Sequence, residues 1–146
     1  MGRILGIDYG EKRVGIAITN PLNIPMPLET VSSDRIMHRI EELLKEYEID
    51  LIVVGNPMEG KRREMVERFI EKLKSNVKVK VVEWDESFTS RKAEEVMRKM
   101  KKKPSKDRGA VDRIAASIIL EEYLSSNYPC TCNRAYYIFN PVLQAL

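Results

Sequence analysis

The stretch from Arg3 to Thr19 constrains this chain more than any other. Two apolar, β-branched runs, Arg3 to Tyr9 and Val14 to Thr19, are separated only by Gly10, Glu11, Lys12 and Arg13. Runs of this kind with a short glycine-bearing connection pair as a hairpin, so the fold opens with antiparallel strands. The pattern then changes. Asn20 to Pro27 is rich in Pro and Asn and reads as a loop, with Leu28 to Val31 as a short third strand beyond it. From Asp34 onward, Ile36, Met37, Ile40, Leu43, Leu44 and Tyr47 recur at helical spacing, with Ser32, Ser33 or Asp34 available as the cap. Within Asp50 to Gly55, the run Leu51, Ile52, Val53, Val54 lacks alternation, which marks a strand covered on both faces. A helix leading into such a strand implies a parallel crossover. A second helix, carried by Met65, Val66, Phe69, Ile70 and Leu73, precedes a strand from Val77 to Trp84 and repeats the unit.

Two further helices complete the reading. Ser90 to about Met100 places Ala93, Val96, Met97 and Met100 at helical spacing behind a Thr89 or Ser90 cap. Ala110 to Leu124 carries the strongest apolar stripe, Val111, Ile114, Ala115, Ile118 and Ile119, and its small residues Ala115, Ala116 and Ser117 permit close approach to a sheet. The pattern therefore predicts an α/β fold: a mixed five-stranded sheet, antiparallel at its start and parallel after, with helices on both faces.

A chain of 146 residues, 43% of them hydrophobic, encloses one core, so residues 1–127 are expected to form one domain. Residues 128–146, aromatic and nearly uncharged, stand apart as a tail. With 32% charged residues, no apolar run near the roughly 20 residues of a membrane helix and no signal-like start, a soluble cytoplasmic protein is expected. Cys130 and Cys132 lie one residue apart and far from the single histidine, His38, which predicts neither a zinc set nor a disulfide. His38 reads as a surface residue on the first helix.

The net charge of +3 is too small to hold a polyanion by itself, so nucleic-acid contact would have to come from local clusters. One runs from Arg98 to Arg108 and includes Lys101, Lys102 and Lys103; another is Lys61, Arg62 and Arg63. Taken alone, such runs are ordinary solvated surface.

The acids are more informative. Asp8 shares a strand face with Gly6 and Gly10, whose missing side chains would leave room for a metal ion or a phosphate; the plainer reading is an Asp that accepts turn amides. Asp85 and Glu86 follow a parallel strand at its carboxyl edge, where open α/β sheets place their sites, although one of them would serve equally as a helix cap. Asp112 falls in the first turn of the last helix, where an acid is favoured by the helix dipole alone. Gathered at one sheet edge, such carboxylates repel unless cations neutralise them, and hard oxygen donors favour Mg2+ or Mn2+. Two such ions hold a phosphodiester, activate a water and stabilise the leaving oxygen.

Four segments, Gly-Ile-Asp-Tyr-Gly-Glu-Lys-Arg-Val-Gly from Gly6, Val-Gly-Asn-Pro from Val54, Asp-Glu-Ser-Phe-Thr-Ser from Asp85 and Val-Asp-Arg-Ile-Ala-Ala from Val111, carry a resemblance. Across about Arg3 to Leu124 the chain resembles the YqgF family, also called RuvX, of pre-16S ribosomal RNA nucleases related to Holliday junction resolvases. The resemblance implies a ribonuclease H-like fold and a phosphodiester hydrolase, with Asp8, Glu86 and Asp112 as metal-holding catalytic acids and Asp85 as an auxiliary acid. Arg13 matches a basic position of the first motif, where it would contact substrate phosphate or simply brace the hairpin; Lys12 beside it and Lys61, Arg62 and Lys101 to Lys103 of the basic clusters are the further candidates for substrate phosphate, with ribosome precursors as candidate partners. Asn56 stands where the family usually has Leu, and Ser87 where it usually has Arg; neither touches a proposed metal ligand.

Three other readings compete. A Holliday junction resolvase would use the same chemistry on DNA as a symmetric homodimer. A sugar-kinase or actin-like ATPase also opens with Asp-x-Gly and a hairpin, but such proteins resemble two of these domains closing on a nucleotide, and this chain has one. A non-catalytic ribosome-assembly factor would bind RNA through the basic clusters, sensitively to salt and indifferently to metal. Binders of single strands usually stack bases on aromatics, and the sequence offers only Phe88 near the proposed edge.

Overall fold

The structure, a computed structural model, describes residues 2–57, 60–85 and 108–127. The helix expected over 90–100, most of the basic loop and the tail with both cysteines lie outside the described residues. The elements run β1 (Arg3–Tyr9), β2 (Arg13–Thr19), β3 (Pro25–Ser32), α1 (Ile36–Glu46), β4 (Ile49–Asn56), α2 (Lys61–Asn76), β5 (Lys80–Asp85) and α3 (Arg108–Asn127). The strands form one sheet in the order β3-β2-β1-β4-β5. β2 pairs antiparallel with both β1 and β3, while β1 with β4 and β4 with β5 are parallel. The mixed five-stranded sheet read from the sequence is the one observed.

Strand alternation divides the core in two. Leu5 and Ile7 of β1, Val14 and Ile16 of β2, and Ile52 and Val54 of β4 face α1 and α2, meeting Ile36, Ile40, Leu43, Val66, Phe69, Ile70 and Leu73. On the opposite face Ile4, Ala17 and Val53 meet Ala116, Ile119, Leu120 and Leu124 of α3. β4 is thus covered on both sides, as its unbroken apolar run requires. α3 is also tied to β5: Trp84 packs edge-on against Tyr123, with centroids 5.8 Å apart, and its Nε1 donates to Glu122 Oε2 at 3.3 Å. No helix among the described residues is long and apolar enough to cross a membrane.

Three local expectations are corrected. β3 begins at Pro25, not Leu28, and spans eight residues. It is an edge strand, where Pro25 and Pro27 lose no ladder bond that the sheet needs, and the register shifts opposite Ile16 and Ala17. The loop before it is shorter than expected because Asn20 Oδ1 accepts from both Leu22 and Ile24 backbone N–H at 2.9 and 3.0 Å. α1 starts at Ile36 behind Arg35 and has no side-chain cap. Ser32 is committed to β3, and the Ser33 hydroxyl donates to the Glu11 carbonyl at 2.7 Å, which clamps the hairpin turn. The helix is tied down through Arg39, whose guanidinium bonds Glu29 of β3 and, at 3.1 Å, Glu42. The Glu29 hydrogen bond holds that guanidinium above its ordinary range against the opposing effect of desolvation. His38 is exposed and pairs with Glu42 at 2.9 Å, a surface residue as expected.

Asn56 at the end of β4 is 2% exposed, and its Oδ1 has no hydrogen-bond partner among the described residues, although its Nδ2 bonds Glu83. A buried acceptor left unmade costs about 1–3 kcal/mol, more than the roughly 1 kcal/mol of the bond to half-exposed Glu83. Asn56→Leu is therefore expected to stabilise the chain by about 1 kcal/mol, raising Tm by roughly 2–4 °C in a thermal melt. A lower Tm would mean that the Glu83 bond dominates.

Candidate active site

Asp8 is the penultimate residue of β1 and is 6% exposed. By alternation with Ile4 and Gly6 it lies on the face covered by α3, and across the ladder it is paired with Gly15 of β2. The space beside it is not open, as the glycines had suggested. A Cβ on Gly6 would come within 2.4 Å of Leu120 Cγ and 2.9 Å of the Ala116 carbonyl, so that glycine seats α3 rather than a metal or phosphate. Gly10 is closed off in the same way, 2.5 Å from the Arg13 carbonyl.

The room goes to Asp112. A Cβ on Gly15 would stand 1.9 Å from the Asp112 carbonyl oxygen and 2.2 Å from its carbon, so the backbone of α3 rests directly on the strand position opposite Asp8. Asp112 lies in the second turn of α3, not the first, because the helix begins at Arg108. Its placement is therefore a matter of docking on Gly15 rather than of the helix dipole, which acts within the first turn. Gly15 is the residue the sequence reading missed. A glycine directly across a hairpin from an acid is the signal that would have found it.

Each of these carboxylates faces an arginine. Arg62 Nη2, from the start of α2, donates to Asp8 Oδ1 at 2.8 Å and to the Tyr9 carbonyl at 3.0 Å. α2 packs on the other face of the sheet, so Arg62 reaches around the carboxyl edge of β1. The chain enters that helix through Gly60, whose φ of +91° other residues rarely adopt. Arg13 Nε, from the first residue of β2, donates to Asp112 Oδ2 at 3.0 Å. A carboxylate as buried as Asp8 stays charged only beside such a partner. Lys12 and Lys61 are exposed nearby.

Asp85 ends β5 in register with Asn56 and is exposed. Trp84 packs on the α3 face and Glu83 bonds Asn56 on the other, so alternation sets Asp85 on the face away from Asp8. Among the described residues no three His, Cys, Asp or Glu side chains are grouped as a metal set. Glu86 and Lys101 to Lys103 lie outside the described residues. The two described acids are nonetheless chemically suited to a hard divalent ion: both are oxygen donors, one from a strand and one from a helix seated against it through the Gly15 cradle.

A sheet with three antiparallel strands and two parallel ones, helices on both faces and a buried acid at the carboxyl edge of its central strand is a ribonuclease H-like fold. Solved structures agree on the fold. RuvC of T. thermophilus in complex with a Holliday junction substrate superposes with a TM-score of 0.56 at 16% identity, over 88% of this chain and 97% of that one. The Fowlpox virus resolvase in complex with Holliday junction DNA gives 0.56 at 15% identity, over 86% and 99%. The chain belongs to the RuvX family: the family model described as "RuvX: Holliday junction resolvase" matches residues 2–126. Among its relatives, proteins named "Putative pre-16S rRNA nuclease" from Syntrophus aciditrophicus and Acetivibrio thermocellus are 38% and 40% identical. The matches cover 85% of this chain in each case, and 89% and 96% of the respective relatives.

Proposed function

We propose that this chain is a metal-dependent nuclease that hydrolyses phosphodiester bonds, with the 5′ region of pre-16S ribosomal RNA as its substrate and the cytoplasm as its place of action. The observation that carries the reading is the seating of Asp112 on Gly15, opposite buried Asp8, in a chain whose relatives bear the name of pre-16S rRNA nucleases. Asp8, Asp112 and Glu86, the residue after β5, would hold Mg2+ or Mn2+. When bound, the ions supply an activated water and stabilise the leaving oxygen. The chain's own groups do the rest. Asp8 is fixed by burial and Asp112 by its helix, so neither needs to reorganise as charge develops. Arg62 and Arg13 hold those acids and stand at the edge where substrate phosphate would arrive, with Lys12 and Lys61 beside them. Asp85, on the far side of the edge, adds negative field and is not needed in the metal set.

The family description favours one second reading, a four-way DNA junction as substrate, cut by a symmetric dimer. Both are tested by incubating a labelled structured RNA and a four-way DNA junction with Mn2+, Mg2+ or EDTA, comparing the native chain with Asp112→Asn. Metal-dependent cutting that the variant loses by about 100-fold or more is expected, and the preferred substrate decides between the readings. Salt-sensitive binding without any cutting would replace both with a non-catalytic assembly factor.

A further inference from the structure

We propose that the groove between α1 and α2 is a nucleic-acid subsite that takes an unpaired base of the strand crossing the catalytic edge, with Arg68 and Lys72 on its flanking phosphates. The proposal rests on the nuclease reading above and adds where the substrate strand runs.

The groove has a volume of about 220 Å3. That is below the roughly 300–1,000 Å3 of a site for a drug-sized molecule and suits one flat ring system. Tyr9, Phe69, Met37 and Met65 give it an apolar wall, and Arg68 and Lys72 stand at its rim; among the described residues no acid lines it. Tyr9 stacks on Phe69 with centroids 4.2 Å apart and planes 16° from parallel, and is itself only partly buried. An aromatic plane beside two polarizable thioethers is a surface on which any base stacks, irrespective of sequence. The sequence offered only Phe88 for that role; the fold supplies Tyr9.

The rim fixes the occupant. Arg68 and Lys72 are exposed and one helical turn apart, and their side chains have no hydrogen bond or ion pair among the described residues. Arg13, Arg39, Arg62 and Arg63, by contrast, are each paired with a carboxylate. An apolar slot that carries two positive charges and, among the described residues, no negative one complements a base with phosphates on either side, not a neutral or basic peptide. Its position supplies the link to catalysis. Tyr9 follows Asp8 in β1, so the two side chains leave opposite faces of the same strand end, and a single nitrogen of Arg62 bonds both Asp8 Oδ1 and the Tyr9 carbonyl. A strand with its phosphate at Asp8 enters the groove by passing over Arg62.

The test is equilibrium binding of a fluorescein-labelled 12-nucleotide single-stranded RNA by anisotropy, in EDTA so that no cutting intervenes. Four proteins are compared: the native chain, Arg68→Glu/Lys72→Glu, Met65→Ser, and a control pair, Lys78→Glu/Lys80→Glu, at the opposite end of the sheet, each checked by thermal melt. The expected result is a loss of tenfold or more in affinity for the groove pair and severalfold for Met65→Ser, against less than threefold for the control. The salt slope of the groove pair should fall by about 1.4, roughly 0.7 per lost phosphate contact. Equal losses in groove and control pairs, or no single-strand binding by the native chain, overturn the proposal. A chain that cuts with Mn2+ but whose groove pair binds normally refutes the subsite alone. One that never cuts but needs the groove to bind refutes the nuclease reading and leaves the subsite standing.

Discussion

Asp8→Asn is expected to abolish cleavage while leaving the fold and RNA binding nearly intact. The substitution keeps the shape and the Oδ1 acceptor to which Arg62 donates, so the geometry at the end of β1 survives. What it removes is the negative charge, at a site where a divalent ion needs anionic oxygen. Arg62 is 37% exposed and keeps its bond to the Tyr9 carbonyl, so the lost ion pair is made up largely by water and the melting temperature should move by only a few degrees. The rate should fall by at least about 100–1,000-fold. Affinity for RNA, measured without metal, should hold or rise slightly, since a negative charge has been removed from the path of a polyanion. Unchanged turnover in this variant would sink the proposed site, whatever the other residues do.

Gly15→Ala tests how the site is assembled. The added methyl would lie 1.9 Å from the Asp112 carbonyl oxygen, and the three atoms it strikes, that oxygen, its carbon and the Arg113 nitrogen, are all backbone, so no side-chain rotation relieves the clash. α3 must lift from β2, taking with it the packing of Ala116, Ile119 and Leu120 on the sheet. Overpacking of this kind costs about 3 kcal/mol at the upper end of its usual range, a drop in Tm of roughly 6–12 °C. A shift of about 1 Å at Asp112 should also cost about 100-fold in cleavage, even at temperatures where the variant is fully folded. Gly109→Ala is the milder control: its methyl would meet Thr30 Cβ and Oγ1 and the end of the Arg113 side chain at 3.2 Å, contacts that a shift of a few tenths of an ångström relieves. If Gly15→Ala melts within about 2 °C of the native chain and cuts normally, the cradle does not position Asp112.

Much of this architecture is written locally. The hairpin is visible in Arg3 to Thr19 because apolar, β-branched runs flank a short glycine-bearing connection, and β4 in Leu51 to Val54 because a strand between two helical layers has no polar side. The four motifs carry the family, and the family match over residues 2–126 covers nearly the span they indicated. Boundaries were less visible. β3 was cut short at Leu28 because prolines read as loop wherever the sequence alone cannot show that the strand is at the sheet edge. Asp112 was assigned to a first turn because nothing in Lys106 to Gly109 announces a helix start.

The sequence by itself determined which residues turn toward a core and in what order strands and helices follow, since both depend on periodicities within a dozen residues. Only the tertiary structure decided which groups meet. Arg13 bonds Asp112 across 99 residues of chain, and Arg62 bonds Asp8 across 54. Neither contact follows from local pattern, because each depends on β1 and β2 lying side by side and on how closely α3 and α2 approach them. The glycines show why. On the strand, Gly6 reads as space for a ligand, yet in the folded chain that space holds a helix; Gly15, across the hairpin from Asp8, seats the same helix and brings the second acid toward the first.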